Sequence, residues 1–160
     1  MAELAHTTTR DVDQRPEVVH ERLLELADRL RREAPPIEPG TQPAALLGVD
    51  GPLGIEVADR GPSRVEMRTT RGRIRGEGAA ILVPIHDGAG TRLTMSLALK
   101  PQGFAANLML GAALATMPHA ERGVIDGLER GMDDLAMELA KPDAEWDAEG
   151  WQPPGVPARG

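Results

Sequence analysis

The sequence predicts an α+β domain: one strand and one helix, then an antiparallel sheet, then a long helix. Three observations predict it. Val19, Leu23, Leu26 and Leu30 recur at helical spacing between Pro16 and Glu33. Apolar residues alternate with polar ones, with turn signals at short intervals, between Ile55 and Lys100. Ile125, Leu128, Met132, Leu135 and Leu139 then step by three and four residues. A chain of 160 residues fits one core with unstructured ends.

Thr7 to Val12 is a β-favouring, Thr-rich strand. Asp13 is placed to cap the first helix, and Pro16 sits in its first turn, where a missing N–H costs nothing. Glu21, Arg22, Glu25, Arg29 and Arg32 occupy the polar face, which makes this a surface helix with one buried stripe. Ala34-Pro35-Pro36 ends it. Within the Pro- and Gly-punctuated stretch from Ile37 to Pro52, Ala44 to Val49 reads as a short strand.

The meander follows. Ile55 to Ala58 is a strand, Asp59 to Ser63 a turn, and Arg64 to Thr70 a strand with Val65, Met67 and Thr69 on one face. Arg71-Gly72 turns tightly into the long strand Arg73 to Ile85. Asp87 to Gly90 turns again into Thr91 to Lys100, where Leu93, Met95, Leu97 and Leu99 alternate with polar residues. The long strand changes phase: Ile74, Gly76 and Gly78 share one parity, and Ile81, Val83 and Ile85 the other. A bulge near Gly78-Ala79 would reconcile them. Gly103 to Ala140 is helical in two parts divided at Met117-Pro118, the first apolar nearly all round and the second amphipathic. Residues 142–160, rich in Pro and carrying Trp146 and Trp151, read as a flexible tail to a domain spanning 1–141.

Strand, helix, antiparallel meander and long C-terminal helix is the order of the helix-grip fold, in which a curved antiparallel sheet wraps around the last helix. Two segments carry a closer likeness. The meander "DRGPSRVEMRTTRGRIRGEGAAILVPIHDGAGTRLTMSLALKP" and the helix ending "ERGVIDGLERGMDDLAMELA" resemble the SRPBCC group of the START-like superfamily, in particular its polyketide cyclase or dehydrase-like members. The resemblance implies a ligand cavity between sheet and C-terminal helix. It leaves open whether chemistry follows binding, because this chain lacks the Tyr, Trp and His residues that enzymes of the family often place in the cavity.

Composition narrows the function. A net charge of −7 argues against nucleic acid as a partner. The charge-free run Gly103 to Met117 is short for a bilayer span and fits a buried helix better. The absence of Cys and of a signal-peptide pattern fits a cytoplasmic protein. No motif calls for a metal or another cofactor: His6, His20, His86 and His119 stand in no metal-ligand spacing. Ser63 and Ser96 lack the context of a nucleophile.

The expected ligand is a hydrophobic or amphipathic small molecule, lipid- or polyketide-like. Its expected contacts are Met67, Thr69, Gly76, Gly78, Met95 and Leu97 on the sheet, and Phe104, Asn107 and Leu108 on the apolar helix. Missing side chains at Gly76 and Gly78 leave volume on a concave face, or alternatively only let the sheet bend. Met95, Met109 and Met117 offer an adaptable lining, with Phe104 to Met117 closing one end. His119 is the histidine to test as an acid or base. Arg64, Arg68, Arg71, Arg73 and Arg75 read as a solvated face with cross-strand partners such as Glu77 for Arg68, or else as an anion site. Two alternatives stand beside ligand binding. One is a cyclase or dehydratase, for which no catalytic constellation is legible; the other is a protein-interaction module using the arginine face or the tail.

Overall fold

The computed structural model describes residues 4–33, 36–52, 54–116 and 118–150. The elements run β1 (Leu4–Val12), α1 (Pro16–Glu33), α2 (Gln42–Leu47), β2 (Ile55–Asp59), β3 (Arg64–Thr69), β4 (Ile74–Ile85), β5 (Gly90–Pro101), α3 (Phe104–Thr116) and α4 (Pro118–Leu139). The strands form one antiparallel sheet in the order β1-β5-β4-β3-β2. β1 therefore pairs with the last strand, from Leu4 opposite Leu99 to Val12 opposite Thr91. This is the helix-grip arrangement, with the long helix α4 following the sheet.

Alternation assigns each strand an inner and an outer face. Val12, Val65, Ala80, Leu82 and Leu93 are buried on the inner face and pack with Val19, Leu23 and Leu26 of α1 and Met132, Leu135 and Leu139 of α4. Each of the Val, Leu and Met side chains contributes about 1.5–3 kcal/mol of burial. α1 lies across β2, β3 and β4, whereas α4 runs along β1. His20 Nε2 meets Asp59 Oδ1 at 2.9 Å and ties α1 to the end of β2.

Several expectations are corrected. No bulge interrupts β4: its pairing with β5 runs unbroken from Ile74 opposite Pro101 to Ile85 opposite Gly90. The inner face of β4 is thus Ile74, Gly76, Gly78, Ala80 and Leu82, and Ile81, Val83 and Ile85 lie on the outer face, where Val83 is 49% exposed. The stretch read as a strand at Ala44 to Val49 contains the helix α2. The Thr41 side chain accepts the Ala44 N–H at its start, and Gly48 closes it at φ 68°. Arg68 lies opposite Glu77 in register but pairs with Glu56 at 2.7 Å, while Glu77 pairs with Lys100 at 2.8 Å.

Residues 142–150 fold back over α1. Arg22 and Arg29, expected on the solvent face of that helix, are buried beneath them. Arg22 donates to the carbonyl oxygens of Leu139 (2.9 Å) and Lys141 (2.5 Å) and to Asp143 Oδ1 (2.8 Å). Its guanidinium lies 4.8 Å from the centre of the Trp146 ring. Arg29 donates to the Ala148 carbonyl at 2.7 Å. A cation beside the last carbonyls of α4 also complements that helix's negative end.

Candidate functional site

A cavity of about 230 Å³ lies between the inner face of the sheet and the two helices that cover it. Gly78 leaves part of its wall without a side chain. Gly78 stands in register between Met67 of β3 and Leu97 of β5. A Cβ built there would meet nothing nearer than the Ser96 carbonyl oxygen at 3.6 Å. Gly131 of α4 also lines it. Leu23, Leu26 and Leu30 of α1, and Leu128, Met132 and Leu135 of α4, complete an apolar wall.

Four of the expected contact residues come together here: Met67, Gly78, Met95 and Leu97. Thr69 and Gly76 lie farther along the sheet and are tied to each other, the Thr69 hydroxyl accepting the Gly76 N–H at 2.8 Å. Phe104, Asn107 and Leu108 do not reach the cavity wall. α3 buries Ala106 and Leu110 and turns Phe104 (80% exposed) and Leu108 (59%) outward, so it does not close the cavity through them. Asn107 donates to the Gly103 carbonyl at 3.0 Å within its own helix. Met117 and Trp151, and the side chains of Met109 and His119, lie outside the described residues.

The polar part of the wall was not read from the sequence. His6 and Thr8, on the inner parity of β1, line the cavity, and both bond to Glu129 of α4. His6 Nε2 lies 2.6 Å from Glu129 Oε1, and the Thr8 hydroxyl donates to Oε2 at 3.0 Å. Arg10, two residues on, donates to the same Oε2 at 2.5 Å and to Asp133 Oδ1 at 2.6 Å. It also donates to the Thr8 hydroxyl at 2.7 Å. The Arg10 hydrogen bond, then those from His6 and Thr8, push the Glu129 carboxyl down to about 2. It is therefore a carboxylate that can only accept, which requires His6 Nε2 to carry the proton. The one available signal was parity: His6, Thr8 and Arg10 share the face of Val12.

A larger depression of about 730 Å³ is lined mostly by outer-face residues such as Ala58, Ala79 and Ala98 and by charged side chains. It also takes in Arg31 of α1 and shares Met67, Gly78 and Leu97 with the inner cavity. Those charges are largely spent on one another, as in Arg60–Glu66 (2.8 Å), Arg68–Glu56 and Lys100–Glu77. Solvated pairs of this kind interact weakly, and the inner cavity, with its apolar lining, is the better site for an apolar ligand. Among the described residues no cluster of His, Asp or Glu could hold a metal ion, and no helix is long and apolar enough to cross a membrane.

No protein-family model and no curated protein matches this chain in sequence. Solved structures match its fold. StfQ, a di-domain ARO/CYC protein of the steffimycin biosynthetic pathway, is similar at TM-score 0.51 and 14% identity over 87% of this chain. The match covers 49% of StfQ, so this chain spans about half the length of that protein. A Chromobacterium violaceum protein is similar at TM-score 0.50 and 12% identity, covering 86% of this chain and 99% of its own. A START superfamily protein from Mycobacterium smegmatis matches at TM-score 0.43 and 14% identity over 78% of this chain and 98% of its own. At these identities the likeness is one of fold alone: the chain has the helix-grip architecture expected from its order of elements.

Proposed function

We propose that this protein binds a hydrophobic or amphipathic small molecule in the cavity between its sheet and α4. The observation that carries the reading is the cavity itself, about 230 Å³ of space walled by Leu and Met side chains, with Gly78 and Gly131 among its lining. Filling it removes apolar surface from water at about 25 cal/mol per Å², and three methionines on the wall (Met67, Met95 and Met132) adapt to the ligand's shape. Native mass spectrometry of the purified protein, followed by organic extraction, tests the reading. A stoichiometric apolar adduct supports it. An apo mass together with no uptake of a fluorescent apolar probe would move the function to the protein's surface.

A second reading is a cyclase or dehydratase acting on a polyketide-like substrate. What favours it is the carboxylate-paired imidazole of His6 on the cavity wall, the arrangement a general base requires. Fold likeness to an ARO/CYC protein is analogy and adds little, since one fold hosts many functions. Incubating the protein with its extracted ligand and following loss of water by mass spectrometry separates turnover from binding.

A further inference from the structure

Among the described residues of this apolar wall, His6 carries a ring nitrogen that makes no hydrogen bond. The Thr8 hydroxyl has given its one proton to Glu129 and accepts from Arg10, which leaves it a single lone pair. His6 uses Nε2 on Glu129, and among the described residues Nδ1 has no partner. With the Glu129 carboxylate holding a proton on Nε2, Nδ1 presents a lone pair whenever the ring is neutral. Arg10 and Thr8 hold Glu129 from the other side, so the ring is braced by three side chains, one on α4 and two on β1.

We propose that His6 Nδ1 is the polar anchor of the cavity and that the ligand is a compact aromatic compound carrying a hydroxyl group, which donates to it. The inference rests on the reading of the cavity as a ligand site. Size and lining set the class. A dry apolar cavity of about 150 Å³ accommodates benzene, so about 230 Å³ suits a ligand of one or two rings. The thioethers of Met67, Met95 and Met132 favour an aromatic face over an aliphatic chain. A hydroxyl entering an apolar pocket loses its hydration and binds poorly unless an acceptor awaits it. His6 Nδ1 is that acceptor, and Glu129 acts through it as a positioning residue.

Two probes of matched shape, 1-naphthol and 1-methylnaphthalene, test this by titration into the full chain. The native protein should bind 1-naphthol at least as tightly as 1-methylnaphthalene. His6→Phe should weaken 1-naphthol about tenfold, the cost of burying a hydroxyl without a partner, and leave 1-methylnaphthalene within about twofold. Binding of neither probe to the native protein overturns the cavity reading and the anchor with it. Binding of 1-methylnaphthalene with clearly weaker 1-naphthol, or an undiminished 1-naphthol affinity in His6→Phe, overturns the anchor alone. Should the variant fail to fold, nitrogen NMR of the native protein decides. Among four histidines, one unprotonated ring nitrogen should shift with 1-naphthol and stay put with 1-methylnaphthalene. No histidine shift at saturating 1-naphthol would sink the proposal.

Discussion

Glu129 shows how one side chain organises the polar end of the cavity. Its two carboxylate oxygens accept from His6, Thr8 and Arg10, bonds that join α4 to β1 across 119 to 123 residues of chain. The folded protein holds this carboxyl at about 2, against 4.5 for the unperturbed group. A depressed carboxyl contributes stability that is complete above its unfolded value and is lost as pH falls through its folded one. The window is therefore between about 4.5 and about 2. Thermal melts of the native protein and Glu129→Gln across that range should converge as the pH falls, because the amide does not titrate. A constant gap between the two at every acidic pH would show that the hydrogen bonds matter and the charge does not. None of this was legible in spacing, since the partners stand so far apart in the chain. The His and Thr on the inner parity of a strand that ends in Val12 were the only trace, and an isolated polar residue on an apolar face is weak evidence by itself.

At the scale of elements, periodicity located what it could measure. The meander and α4 were readable because their apolar residues recur at a fixed step, and α1 was readable for its apolar stripe. Arg22 and Arg29 were misread because the segment that buries them, residues 142–150, supplies backbone carbonyls and Trp146, which no helical pattern encodes. In α3 the opposite problem holds: a helix apolar all round has no preferred face, so nothing in the sequence separates buried Ala106 and Leu110 from exposed Phe104 and Leu108. β4 was misphased because Ile81, Val83 and Ile85 read as core, while the residues that face the cavity are Gly78 and Ala80. The glycines of α4 give a prediction at this scale. Gly127 lies in the helix interior, and a Cβ built there has nothing within 4 Å. Gly127→Ala should therefore stabilise the protein by about 0.5–1 kcal/mol, roughly 1–4 °C in Tm, without changing probe uptake. A lower Tm would mean that α4 packs more closely at that turn than its open surroundings indicate.

For the whole molecule the cavity is a cost as well as a site. The apolar side chains around these 230 Å³ or so give up packing contacts that a filled interior would make. A sheet under selection for packing alone would place a branched residue at the centre of its inner face, where glycine also weakens the strand. Gly78→Leu puts these two demands in opposition. Its Cβ enters at ordinary contact distance, 3.6 Å from the Ser96 carbonyl oxygen and 3.9 Å from Leu97 Cδ1, and the rest of the side chain projects into the cavity between Met67 and Leu97. We expect a folded variant that melts higher than the native protein, by an amount equivalent to about 1 kcal/mol or more, and that no longer takes up 1-methylnaphthalene. Thermal melts and probe titration on the same samples check both halves. Higher stability with uptake intact would put the ligand elsewhere on the molecule. Lost uptake with lower stability would mean that Gly78 is needed for the curvature of β4, the role its sequence context also allowed.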